Sequence, residues 1–180
     1  THENIGYGPV KLPDQELHTT ALWWQLPQQE LETRFASRQD ALDGFLGAAY
    51  ALHVVAKVAV MADAADLQKA VGSGDGAWFA TADGRGRGQL RALDGSASDP
   101  ARHDEFVPTV YLYDNYPGGV GQSEPLWRRQ GELVQRALEL VQRCDCKAGC
   151  PACVGPVLAV HEEAATTPKA LALQVLEALA

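Results

Sequence analysis

Apolar and polar positions alternate from His18 to Pro27, in "HTTALWWQLP". Thr20, Leu22, Trp24 and Leu26 fall on one side and Trp23 on the other, which predicts a strand moderately buried on both faces and closed by Pro27. From Asp40 to about Ala62 the period changes: Leu42, Phe45, Leu46, Ala49, Leu52, Val55, Ala56 and Val60 recur at helical spacing, as in a long helix packed on a core. A shorter helix is expected from Asp63 or Ala64 to Val71, where the glycines of "GSGDG" stop it, and "AWFAT" suits a short strand. "VPTVYLYD", from Val107 to Asp114, is the strongest strand signal. A helix from Gln122 or Ser123 to about Arg143 carries the stripe Leu126, Leu133, Val134, Ala137, Leu138 and Val141, and another runs from Pro168 to Leu179. The stretch from Asp83 to Glu105, rich in glycine and charge, reads as a loop or insertion. These elements predict an α/β fold: a central mixed sheet including the strands near Thr20 and Val110, flanked by helices.

Composition narrows the class. With 180 residues and 46% hydrophobic content the chain can bury one core, so residues 1–180 are expected to form a single domain that needs no disulfides. A start at Thr1, a sole methionine at Met61 and no basic-then-apolar leader suggest a piece excised from a longer protein. The longest apolar run, Ala48 to Met61, is interrupted by His53 and Lys57, which argues against a membrane role. The formal net charge of -8 disfavours tight nucleic-acid binding by the chain alone, unless basic residues gather on one face.

All four cysteines lie in "CDCKAGCPACVGP", as Cys144, Cys146, Cys150 and Cys153, a C-x-C-x3-C-x2-C spacing. Two short pairs joined by a bend at Gly149 can place four thiolates at the corners of a tetrahedron, the arrangement zinc takes in closed structural sites. An iron–sulfur cluster also uses four cysteines, and a disulfide or redox pair is a third reading, less suited to a chain with no mark of secretion. Four thiolates leave no open position for a catalytic water.

"YDNYPGGVGQSE" sets Asp114 at a strand end and Gly118, Gly119 and Gly121 ahead of a helix start. Free N–H groups and a helix N-terminus suit an anion such as a nucleic-acid phosphate, and the plainer reading is a tight packing turn. No lysine follows, so this is neither a phosphate-binding P-loop nor a dinucleotide fingerprint. Arg85, Arg87 and Arg91 in the glycine-rich loop, with Arg128 and Arg129 on the helix, are candidate phosphate contacts, although charged loops are more often simply solvated. Arg129, Arg136 and Arg143 interleave with Glu132 and Glu139 in the manner of a salt-bridge ladder, and Arg143 and Lys147 flank the thiolates whose charge they would offset. His53 suits a satisfied core histidine, while His161 and Glu162 are not needed as ligands. No catalytic residues are indicated; "GQSEP" lacks the nucleophile-elbow pattern.

"VYLYDNYPGGVG", the helix after it and "CDCKAGCPACVGP", together with the upstream "HTTALWWQLP" and "LGAAYALHVV", resemble the C-terminal zinc-binding MZB domain of DEAD/DEAH-box superfamily-two DNA helicases over most of the chain. The resemblance implies that Cys144, Cys146, Cys150 and Cys153 hold zinc in a peripheral knuckle spanning 144–153. It also implies a parent that hydrolyses ATP in lobes N-terminal to this region, moves 3′ to 5′ on single-stranded DNA and, in some members, acts in DNA repair alongside a separate nuclease. The expectation is a non-catalytic accessory module that helps position single-stranded DNA against the preceding lobes, in the cytoplasm of a bacterial-type cell and on its nucleoid. The alternative is a zinc-stabilised interaction module that recruits the nuclease or another repair partner.

Overall fold

The computed structural model describes residues 17–63, 65–73, 78–80, 106–156 and 166–180. In chain order the elements are β1 (Ala21–Gln25), α1 (Gln28–Arg34), α2 (Arg38–Val60), β2 (Leu67–Ser73), β3 (Trp78–Ala80), β4 (Pro108–Asp114), α3 (Ser123–Arg128), α4 (Gln130–Arg143) and α5 (Pro168–Leu179). The expected loop from Asp83 to Glu105, with Arg85, Arg87 and Arg91, lies outside the described residues, as do His161 and Glu162.

The four strands lie in the order β1-β4-β2-β3. Sheet, helices and cysteine knuckle are all present as expected, but every described pairing is antiparallel, where a mixed sheet was expected. Parallel neighbours need long crossovers. Here β1 pairs with β4 from Ala21↔Tyr113 to Gln25↔Thr109, and β2 pairs with the other edge of β4 from Leu67↔Asp114 to Ser73↔Pro108. Directly opposed residues share a face, so Leu22, Trp24, Val110, Leu112, Leu67 and Val71 form one buried surface.

β2 replaces most of the helix expected up to Val71. Leu67, Lys69 and Val71 alternate toward the inner face, but the lysine hides the period of two. Lys69 stands opposite Leu112, half-buried, with Nζ 5.5 Å from the centre of the Tyr50 ring on α2. Burial, reinforced by Lys57, holds its pKa below the ordinary lysine value.

α2 lies between the sheet and the α4–α5 pair. Ser37 caps it by accepting from Asp40 N at 3.1 Å, and Met61 ends it in the left-handed conformation (φ 52°). By length and hydropathy this helix would pass for a bilayer span, contrary to the expectation from its interrupting polar residues. Its apolar character is accounted for by packing: Phe45, Ala48, Ala51, Leu52 and Ala56 are fully buried. α5 crosses it closely, because a Cβ at Gly44 would lie 2.8 Å from Leu171 O and one at Gly47 2.8 Å from Ala172 Cβ. His53 is buried as expected, with Nε2 donating to Leu67 O at 2.8 Å, and burial pushes its pKa down to about 4.

The single helix expected from Ser123 to Arg143 is two. Arg129 steps out of helical geometry (φ -112°, ψ 17°), and Gly131 lowers the local helix propensity just after it. α1, seven residues with only Leu31 buried, has too little periodicity to be read from the sequence.

Candidate metal centre and the glycine loop

Cys144 follows α4 directly, in extended conformation (φ -70°, ψ 126°), so the chain leaves the helix and turns at once into the knuckle. Cys153 N and Val154 N both donate to Cys150 O at 3.1 Å, closing a turn that brings the second pair back under the first. Gly149 makes the bend at φ +117°, a conformation L side chains rarely adopt, and a Cβ there would lie 2.7 Å from Val154 Cγ2. The knuckle is seated rather than dangling, since Cys153 is fully buried and Val154 packs where α2 is pared down to Gly47.

The four Sγ atoms all lie within 4.8 Å of one another. Cys144–Cys150, Cys146–Cys153 and Cys150–Cys153 are separated by 3.6, 3.5 and 3.7 Å. Four sulfurs about 2.3 Å from one central ion stand about 3.8 Å apart at tetrahedral corners. The observed set matches a mononuclear tetrahedral site, is too tight for a polynuclear iron–sulfur core between the sulfurs, and is too wide for a disulfide.

Without metal the thiols are unequal. Cys150 is drawn down to about 7, first by the Ala152 N–H and then by Cys144. Cys153 is pushed up to about 12 and Cys146 upward, both chiefly by burial. Metal uptake therefore displaces protons from Cys146 and Cys153, which would otherwise keep them at neutral pH.

A residue with no signal in the cysteine spacing completes the site. Lys169, in the first turn of α5, donates from Nζ to Cys144 O at 2.5 Å and to Cys146 O at 3.0 Å, and its backbone N–H donates to Ala148 O at 2.9 Å. Arg143 and Lys147, the expected neutralising residues, are both exposed.

The glycine loop is organised differently. Val120 N, Gly121 N and Gln122 N donate to Asp114 Oδ2 at 2.8, 2.9 and 3.2 Å, and Thr20 Oγ1 donates to the same oxygen at 3.1 Å. Gly118 N donates to His18 O and Gly119 N to Tyr116 O. The expected anion contact at Gly118, Gly119 and Gly121 is thus corrected: the donors that would receive a phosphate are already taken, three of the loop's N–H groups by a carboxylate of the chain itself. Asp114 is fully buried and acts as the loop's own anion.

The two described arginine candidates also differ. Arg129 is held by Glu132 (Nε–Oε2 2.8 Å, Nη2–Oε1 3.0 Å) and donates from Nη1 to Ala59 O at 3.1 Å. Arg136 pairs with the same Glu132 at 2.7 Å, so the expected ladder forms at this end of α4. Arg128 is exposed and, among the described residues, pairs with Glu124 four residues earlier, on a shallow groove of about 390 Å³ lined by both with Gly121, Pro125 and Arg129.

Sequence comparison matches residues 48–154 to the MrfA Zn-binding domain, MZB. The chain is 30% identical over 155 residues to the uncharacterized ATP-dependent helicase YprA of Bacillus subtilis (strain 168), covering 86% of this chain and 17% of that protein. It is 36% identical over 45 residues to the uncharacterized protein MJ1572.1 of Methanocaldococcus jannaschii, covering 25% of this chain and 40% of that one. Its fold matches the crystal structure of the DUF1998 helicase MrfA bound to DNA, with a TM-score of 0.65 at 27% identity over 100% of this chain and 19% of that one. A second MrfA structure, bound to DNA and AMPPNP, matches with a TM-score of 0.56 at 28% identity over 98% of this chain and 18% of that one. The chain thus spans about a fifth or less of the helicases it resembles. With four clustered cysteines in the geometry zinc requires and a profile match across more than half its length, this chain belongs to the MZB family, the zinc-binding domain of MrfA-like helicases.

Proposed function

We propose that the chain serves, without catalysis of its own, as the zinc-binding region of an ATP-dependent 3′ to 5′ DNA helicase, where it helps hold single-stranded DNA against the motor lobes. The observation that carries this reading is the likeness of the whole chain to part of a helicase crystallised with DNA. Cys144, Cys146, Cys150 and Cys153 would be the zinc ligands, and the ion would supply structure: four thiolates fill its coordination shell. Asp114, at the strand end, is engaged by backbone donors of its own loop, which supports a structural role for it.

Of the two described arginine candidates, Arg128 is the better suited to a phosphate. An exposed ion pair four residues apart on a helix is worth little, and its guanidinium exchanges partners readily. Arg85 and Arg87 keep the same proposed role. Such a helicase would act on nucleoid DNA in the cytoplasm, with DNA repair as its setting.

In the full-length helicase, Cys153→Ser is expected to abolish unwinding of a 3′-tailed duplex while ATP still binds the motor. Unwinding at the parental rate by a zinc-free variant would refute a positioning role. A second reading, recruitment of a nuclease or another repair partner, is favoured by exposed apolar residues: Trp127 (59%), Val58 (71%) and Met61 (92%). Trp127→Ala separates the two, since loss of partner binding with intact unwinding belongs to recruitment alone.

A further inference from the structure

The contacts of Lys169 converge on one short segment. Its side chain and its backbone N–H together reach the carbonyls of Cys144, Cys146 and Ala148, all within the first half of the knuckle. Two of those carbonyls belong to cysteines of the cluster. A divalent ion with four thiolates carries a net charge of minus two, and such a group in a partly buried place needs positive charge near it. Lys169 is half-buried, so its ammonium acts at lower dielectric than the exposed Arg143 and Lys147. The close crossing of α2 at Gly44 and Gly47 holds α5 in place for this, and Thr167 adds a local cap, accepting from Ala170 N at 3.2 Å.

We propose that Lys169 is the positioning residue that makes the knuckle retain its metal: it ties the carbonyls of the first cysteine pair to α5 and offsets the charge of the thiolates. The proposal rests on the zinc assignment made above. It concerns the rate of metal loss rather than the identity of the ligands.

The test uses the zinc-loaded chain, with excess EDTA driving release and zinc content read over time. Lys169→Met removes the charge and both side-chain bonds while keeping most of the aliphatic stem, and is expected to speed release about 10- to 100-fold, the factor by which losing a group that orients metal ligands lowers metal affinity, taken as a change in the off-rate. Lys169→Arg keeps a cation and donors, and is expected to restore release to within about threefold of the parent, because a guanidinium can still reach carbonyl oxygens. Thr167→Ala loosens the helix cap without touching the ammonium and should leave release near the parental rate. In the cobalt-substituted chain, the sulfur-to-metal charge-transfer band should move in Lys169→Met and not in Thr167→Ala.

Equal release rates in the parent and Lys169→Met would overturn the proposal. So would release from Thr167→Ala as fast as from Lys169→Met, which would assign the effect to the seating of α5; this comparison decides the matter even if Lys169→Met loses helix by circular dichroism. A parent chain that takes up no zinc would refute the zinc assignment itself, an outcome distinct from either of these.

Discussion

The knuckle and the glycine loop are both short, glycine-bearing turns at a helix end, and each is wrapped around a charged centre. In the loop that centre is the Asp114 carboxylate, delivered by β4 and surrounded by Val120, Gly121 and Gln122 N–H groups and the Thr20 hydroxyl. In the knuckle four thiols lie within 4.8 Å of one another, and the positive centre they suit is a metal ion from outside the chain. The loop is therefore complete when the chain folds, whereas the knuckle is complete only when metal is bound. A segment of similar composition can be internally closed or open to a ligand, depending on whether its own side chains satisfy the donors it presents.

The largest expected effect breaks the knuckle alone. Cys153→Ser should abolish stoichiometric zinc, with the loss of binding free energy on the order of 10 kcal/mol typical of small zinc modules. Elemental analysis and thiol titration check the metal. Retained far-ultraviolet circular dichroism from α2, α4 and β4 would locate the damage in the knuckle.

The converse experiment breaks the loop and leaves the metal. Asp114→Ala takes the shared acceptor from three backbone N–H groups and the Thr20 hydroxyl, at about 2 kcal/mol, since these donors are only partly buried and a hydrogen bond to a charged group is worth about 1.5–3 kcal/mol. Urea unfolding of the zinc-loaded chain should show this loss with one zinc per chain still bound. Unaltered stability would mean that a solvent anion can replace Asp114, and would revive the phosphate reading of Gly118, Gly119 and Gly121.

Acid provides a third comparison, through a group belonging to neither region. His53 has a folded pKa of about 4 against an ordinary value of 6.5, so the unfolded chain takes up the proton first as pH falls. Its contribution is intact above about pH 6.5 and is lost progressively toward pH 4, by up to about 3 kcal/mol. The knuckle also weakens in acid, as protons compete for the thiolates. Titration of the His53 ring by NMR separates the two, because a midpoint near 6.5 would contradict its burial.

The sequence made the knuckle legible because its ligands are neighbours: ten residues contain all four cysteines and the Gly149 bend. Lys169 was not legible, because it reaches the knuckle from α5 across 23 residues of sequence, through a helix crossing that spacing cannot reveal. Asp114 was visible as an acid at a strand end, but only the folded loop shows that its carboxylate turns inward and occupies the donors. β2 was misread for a similar reason. Lys69 on the buried face breaks the alternation of Leu67 and Val71, and pairing with β4 along seven residues overrides the local helical tendency. The long helices α2, α4 and α5 were readable because burial of one stripe sets their periodicity, whereas the break at Arg129, whose side chain bonds Ala59 O on a different helix, has only Gly131 as a local signal.

That break yields the smallest expected effect and the finest discrimination. Arg128 and Arg129 are adjacent in sequence and identical in chemistry, yet Arg129 is tied to α2 and Glu132 while Arg128, among the described residues, pairs with an exposed Glu124. Arg128→Glu should change folding stability by no more than about 0.5 kcal/mol, as expected of a surface substitution. Arg129→Glu places a second acid beside Glu132 and removes the bond to Ala59 O, so it should lower the urea midpoint measurably. In the full-length helicase, a salt-dependent loss of single-strand affinity from Arg128→Glu at unchanged stability would assign the groove beside Gly121 to the DNA path. If single-strand affinity falls only with Arg129→Glu, in step with the loss of stability, the strand runs elsewhere and the groove is left to a protein partner.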